Sequence, residues 1–144
     1  MKESRSPRML AASVLTALTL AAMALPIGVP ITFAPSPETH VTRLYAFFNP
    51  AVIGLSGNIL PFCAAVLTLL SGVAACMILF GKKPGKYRFK LFKSLAELAF
   101  VASLFALWIF RTLSVGCLLI LLLQLAVCLL LIVETKKSPS DKPL

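Results

Sequence analysis

Lys82-Lys83-Pro84-Gly85-Lys86-Tyr87-Arg88-Phe89-Lys90-Leu91-Phe92-Lys93 holds six of the fourteen basic residues in the chain. Long runs with almost no charge flank it on both sides. Upstream, Leu44 to Gly81 has no charged residue; downstream, Ser94 to Phe110 has only Glu97, and Thr112 to Val133 has none. Nearer the start, Met9 to Pro37 is likewise uncharged. A membrane-spanning helix needs ~20 predominantly apolar residues, about 30 Å of helix. The four runs meet that length, and the basic stretch is the loop between the second and third of them.

Composition agrees. At 144 residues, 59% hydrophobic and mean hydropathy +0.95, the chain is far more apolar than a soluble domain of about half apolar residues. A soluble fold of this length has too much surface to hide them. In a bilayer they face lipid or one another. The fold class expected is therefore an all-α membrane protein, a four-helix transmembrane bundle.

A net charge of +9 raises the question of nucleic acid, and the placement of the charges answers it. Lys2, Arg5 and Arg8 precede the first run, Lys82, Lys83, Lys86, Arg88, Lys90 and Lys93 form the central loop, and Lys136, Lys137 and Lys142 follow the last run. Arg43 and Arg111 alone fall on the other side. Cytoplasmic loops carry the excess of Lys and Arg, so the expected orientation is N-in/C-in, with the basic loop topogenic. Anionic lipid headgroups are its natural secondary partner, at about 1 kcal/mol per charge near the surface. No nucleic-acid partner is expected.

The parts expected along the chain are a cytoplasmic basic N-terminus (1–8), a transmembrane domain (9–133) and a disordered cytoplasmic tail (134–144). Within the domain, helices fall at about 9–33, 60–80, 91–110 and 116–133, with an outer segment at 34–58 and the basic loop at 81–90. Pro26, Gly28 and Pro30 end the regular part of helix one near Leu25, although the apolar run continues to Phe33. A second reading of this region is a signal peptide, with Lys2, Arg5 and Arg8 as its charged start and Ala22-Met23-Ala24 as its cleavage site. The outer segment is punctuated by Pro35, Pro37, Pro50, Gly54 and Gly57, and Val41 to Phe48 reads as extended. Tyr45, Phe47 and Phe48 suit an interfacial aromatic belt, as does Trp108 at the outer end of helix three. Asn58 is placed to cap helix two, with Pro61 in its first turn. Helix three begins around Lys86, outside the hydrocarbon.

Little here carries chemistry. The four cysteines, Cys63, Cys76, Cys117 and Cys128, sit inside apolar runs, without a C-x-x-C, and His40 is the only histidine. Small apolar packing is the expected role of the cysteines, with a Cys63–Cys117 disulfide as the one geometrically conceivable pair. Gly54-Leu55-Ser56-Gly57 resembles a nucleophile elbow only until Asn58, where the motif needs a second glycine. Glu38 and His40 offer two ligands in a loop, short of a metal site. Catalytic, cofactor and metal sites are therefore all expected to be none, and the chain is not read as an enzyme.

The candidate intramembrane polar site is Glu97 with Gln124. Glu97 is the only acid within a span, and an ionisable residue there is a functional candidate by default. It lies one turn beyond Lys93, about 5–8 Å inside the cytoplasmic boundary, within reach of that lysine at i−4 and of the positive end of the helix. Gln124, nearer mid-membrane, is expected to hydrogen-bond between helices, and antiparallel packing of helices three and four would bring it within a turn of Glu97. Small residues recur at four-residue spacing as well: Ser13, Ala17 and Ala21; Ala64, Thr68, Gly72 and Cys76; Ala99 and Ser103 with Ala102 and Ala106. These are read as packing seams, and the Leu-rich face of helix four as lipid-facing.

The order of parts resembles a loose group of small, uncharacterised four-span bacterial membrane proteins. Leu25-Pro26-Ile27-Gly28-Val29, the Gly54 to Asn58 approach to Ile59-Leu60-Pro61-Phe62, and the Gly81-Lys82-Lys83 stop carry the resemblance. It covers nearly the whole chain and implies fold and a place in the bacterial cytoplasmic membrane. The small multidrug transporters also have four short helices, but their essential Glu belongs to the first span, where this chain has none. Two functions are left open. One is a non-enzymatic accessory or interaction subunit with a membrane protein partner, a homo-oligomer being the association expected of the second. The other is a small oligomeric transporter or channel with Glu97 as its titratable group.

Overall fold

A computed structural model describes residues 6–36, 38–50, 59–81, 86–110 and 114–137. Its elements are α1 (Pro7–Ala24), β1 (Val29–Ser36), β2 (Thr39–Tyr45), α2 (Leu60–Phe80), α3 (Lys86–Phe110) and α4 (Val115–Lys137). All four helices are long and apolar enough to cross a membrane. Each packs on its neighbour in sequence, and α4 closes the ring against α1. The described part of the protein is thus a four-helix bundle with a β-hairpin at one end, and the chain is an integral membrane protein by helix number, length and apolarity.

Contacts fix which helix ends meet. Arg8, at the start of α1, pairs with Glu134, near the end of α4, at 3.9 Å, and Arg88 at the start of α3 donates to the Met77 carbonyl near the end of α2 at 3.3 Å. This is the basic end. At the opposite, hairpin end, Ser114 just before α4 bonds back to Gly28.

Helix one stops at Ala24, close to the end near Leu25 expected for its regular part, and the apolar run on to residue 33 is not helical. Leu25 is extended at φ −79°, ψ 146°, Pro26 and Pro30 have no N–H to continue the ladder, and Val29 onward finds partners in a strand instead. β1 and β2 pair antiparallel, Val29 with Tyr45, Ile31 with Arg43 and Phe33 with Val41. Strand alternation turns Val29 and Ile31 down onto the bundle, where they are buried with Ala22, Met23, Ala64, Ala65 and Ile120. Phe47 completes this cluster and is buried rather than interfacial; its N–H returns to the Met23 carbonyl at 3.0 Å. The hairpin therefore caps the bundle, and the fold-back to which the described part of the 34–58 segment belongs begins before residue 34. At the other end α4 continues through Lys137, so residues 134–137 are helical rather than part of a disordered tail. Thr135 donates to the Leu131 carbonyl at 2.7 Å within that last turn.

The packing seams include part of the four-residue stripes, Ser13, Ala64, Thr68, Ala99, Ser103 and Ala106, and depart from the rest. On α1 the buried positions are Met9, Ala12, Ser13, Thr16, Thr19, Ala22 and Met23, while Ala17 and Ala21 are exposed. On α2 they include Ala64, Thr68, Ser71, Ala75 and Ile78, and Cys76 is exposed. Four residues overshoot a turn of 3.6, so a strict spacing of four drifts around the helix. Alternating steps of three and four hold one face, as on α3, where Phe92, Ala96, Ala99, Ser103 and Ala106 are buried. Leu118, Leu119, Leu122, Leu125 and Leu129 of α4 lie on its exposed side.

Candidate functional site

The core of the bundle is interrupted. One apolar cluster lies toward the basic end, built on Met9, Ala12, Ala75, Ile78, Phe92 and Leu131. The other lies under the hairpin. Between them, on α1, α2 and α4, the buried side chains are polar: Thr16 and Thr19, Thr68 and Ser71, and Gln124. Thr16, Thr68 and Gln124 each fall eight or nine residues from the hairpin end of their helices, about 12–14 Å along the axis at 1.5 Å per residue. They form a layer across the middle of the bundle.

In hydrocarbon every polar group must find a partner inside the protein. The threonines use their own helices: Thr16 donates to the Ala12 carbonyl at 2.8 Å, Thr19 to Leu15 at 2.8 Å and Thr68 to Ala64 at 2.7 Å. Gln124 reaches across the bundle, its Nε2 donating to Thr68 Oγ1 at 3.1 Å. This bond joins α2 to α4, which are not neighbours in the ring, and such interhelical bonds contribute about 0.6–2 kcal/mol. The layer stays incomplete. Ser71 Oγ and Gln124 Oε1 are buried without a hydrogen-bond partner among the described residues. Both residues line a cavity with room for about one water, together with Thr16, Thr19 and Thr68. Ala96 and Ala99 wall it from α3, where short side chains leave the space open.

A second cavity of similar size lies nearer the hairpin, between Val29, Phe47, Pro61, Ser103, Cys117 and Ile120. It is apolar except for Ser103, whose Oγ also has no partner among the described residues. Beside it the hairpin is clamped to α4. Ser114 Oγ accepts the Cys117 N–H at 3.1 Å, an N-cap bond, and donates to the Gly28 carbonyl at 2.6 Å. Gly116 lets the two backbones touch: a Cβ there would stand 2.0 Å from the Ile27 carbonyl oxygen.

Glu97 and Gln124 have different surroundings. Gln124 is 4% exposed in the bundle centre. The Glu97 side chain is 47% exposed on the outside of α3, 3.9 Å from Lys93 one turn back, and it lines neither cavity. The two share no hydrogen bond. Of the basic loop, Lys82 and Lys83 lie outside the described residues, as do Asn58 and the Gly54–Gly57 motif; Lys86, Arg88, Lys90 and Lys93 belong to α3. Glu38 and His40 are exposed at the hairpin tip, and no group of three or more His, Cys, Asp or Glu that could hold a metal occurs among the described residues. Cys63, Cys76, Cys117 and Cys128 are all free, so no disulfide joins Cys63 to Cys117.

Sequence reasoning reached Gln124 because an amide in mid-span must find a partner elsewhere. It missed Thr16, Thr19 and Ser71 as members of one layer. The signal for them was their three- and four-residue spacing on the same faces as Ala12 and Ala75.

No family model, curated protein or solved structure matches the chain. Four long apolar helices give it the character of a four-span membrane protein without assigning it to a family.

Proposed function

We propose that this protein is a non-enzymatic accessory or interaction subunit of a bacterial cytoplasmic membrane, inserted with the N- and C-terminal ends of the chain and the Lys82–Lys93 loop on the cytoplasmic side. The observation that carries the reading is the small size of the two cavities found between the described helices. Each of the two cavities has room for about one water, too little for a substrate chamber, whereas small-molecule sites run to about 300–1,000 Å³. The outward surfaces are open by contrast. β2 is exposed along nearly its whole length, including Val41 and Leu44, and a two-stranded sheet leaves its edges free to take another strand.

The alternative, an oligomeric transporter titrating Glu97, finds less support. Glu97 stands outside both cavities and is half exposed beside Lys93. Orientation rests on the twelve-to-two distribution of basic residues, and the anionic headgroups of that leaflet are the expected lipid contacts of Arg88, Lys90 and Lys93.

The test is photocrosslinking in native membranes from a reactive residue placed at Val41, followed by purification through a C-terminal tag and mass spectrometry. A stoichiometric membrane protein captured from Val41, and not from a lipid-facing control such as Leu122, supports the interaction subunit. Recovery of a defined homo-oligomer alone, with a pH-dependent flux in liposomes that Glu97→Gln abolishes, would replace it with the transporter. Reporter fusions after Arg43 and at Leu144 check the orientation.

A further inference from the structure

We propose that the polar layer at the bundle centre is a binding site for one water molecule, held between Gln124 Oε1 and Ser71 Oγ. The site is independent of any partner the protein has. Three observations converge on it: a cavity with room for about one water, two unpartnered polar atoms on residues 2% and 4% exposed, and a wall whose remaining oxygens are all neutral.

Hydrogen-bond accounting identifies the occupant. Thr16, Thr19 and Thr68 have already spent their only O–H on the carbonyls of their own helices, so as hydrogen-bonding groups they can only accept. Gln124 has committed one N–H to Thr68, and its Oε1 can only accept. Ser71, unlike the threonines, is not bonded to a backbone carbonyl. The occupant must therefore donate to Gln124 Oε1 and meet on its other side the Ser71 hydroxyl, which can donate or accept. Water does so and also accepts from the Ser71 hydroxyl. A bare cation would meet the same oxygens without a counter-charge, because no carboxylate lines the cavity and Glu97 lies outside it beside Lys93. Bound water extends the α2–α4 bond into a network that the hydroxyls of Thr16 and Thr19 can join from α1, at the level where the two apolar clusters leave a gap.

Gln124 is the only glutamine in the chain, so ¹⁵N labelling of glutamine side chains reports this site alone. Water-edited solid-state NMR on the full chain in vesicles of deuterated lipid measures magnetisation passing from water to the Gln124 amide. Transfer is expected in the wild-type protein and is expected to fall several-fold in Ser71→Val, which fills the space with a methyl-bearing side chain. Ala99→Val, which narrows the cavity from α3, gives the same reading should Ser71→Val fail to fold. An amide that receives no magnetisation in the wild type overturns the proposal, as does transfer unchanged by either filled variant. Replacing sodium by choline in the buffer should leave the amide resonances in place; a sodium-specific shift would assign the site to a cation instead.

Discussion

Gly116→Ala adds one methyl group where two backbones meet, and its effect can be worked from the structure. The new Cβ would lie 2.0 Å from the Ile27 carbonyl oxygen, 2.6 Å from its carbon and 3.0 Å from Ile27 Cγ1. Ordinary carbon–oxygen contact begins at about 3.3 Å, more than 1 Å further out, so α4 and the Leu25–Gly28 turn must separate by at least about 1 Å. The obstacle is backbone and cannot be relieved by a rotamer change. Overpacking of this kind costs about 1–3 kcal/mol. Separation by about 1 Å also lengthens the 2.6 Å bond from Ser114 to Gly28 past hydrogen-bonding range, at about 1 kcal/mol. Against this stands the gain in helix propensity, at most ~1 kcal/mol and smaller in the first turn of a helix. A net loss of about 1–4 kcal/mol follows. Gly72→Ala is the matched control. Its Cβ would meet Leu20 Cδ1 at 3.0 Å, the tip of a flexible side chain, and mid-helix it collects the full propensity gain. Stability measured by denaturation in mixed micelles should fall for Gly116→Ala and hold or rise for Gly72→Ala. Equal stability of Gly116→Ala and wild type would refute the backbone contact, and with it the clamping of the hairpin onto α4.

Three further outcomes follow from the same packing. Gln124→Leu removes the bond from Gln124 to Thr68 that joins α2 to α4 and should cost no more than ~2 kcal/mol, with Gln124→Leu and Thr68→Val together costing less than their sum in a double-mutant cycle. Glu97→Gln breaks a half-exposed pair with Lys93 and should move the unfolding free energy by less than ~1 kcal/mol, read in the same micelle titration. Protein isolated under oxidising conditions without reductant should run as a monomer with four alkylatable thiols after denaturation, checked by intact mass after alkylation.

The four helices were legible because their signal is additive. An uncharged run of twenty residues needs no register to be recognised, and the charges at its ends need only be counted. The end of the first helix was harder. Leu25 to Phe33 is as apolar as a span, and apolar character alone does not tell a helix from a strand buried on one face. Pro26, Gly28 and Pro30 carried the distinction, since the two prolines break the helical ladder, the glycine disfavours a helix, and none prevents an edge strand. What Phe47 would touch depended on the hairpin folding back over Ala64, Ala65 and Ile120, a tertiary event with no local trace.

The polar layer divides along a similar physical line. A serine or threonine in a spanning helix can satisfy its hydroxyl on the carbonyl four residues back, as Ser13, Thr16, Thr19 and Thr68 do. Its presence in the sequence therefore does not say which way it points or whether it needs a neighbour. Gln124 has two amide hydrogens and an acceptor oxygen, more than its own turn can absorb, so it must reach another helix or strand a polar atom in hydrocarbon. That surplus makes one residue of the layer readable in advance. It also explains why the glutamine side chain still has an oxygen to offer after bonding Thr68.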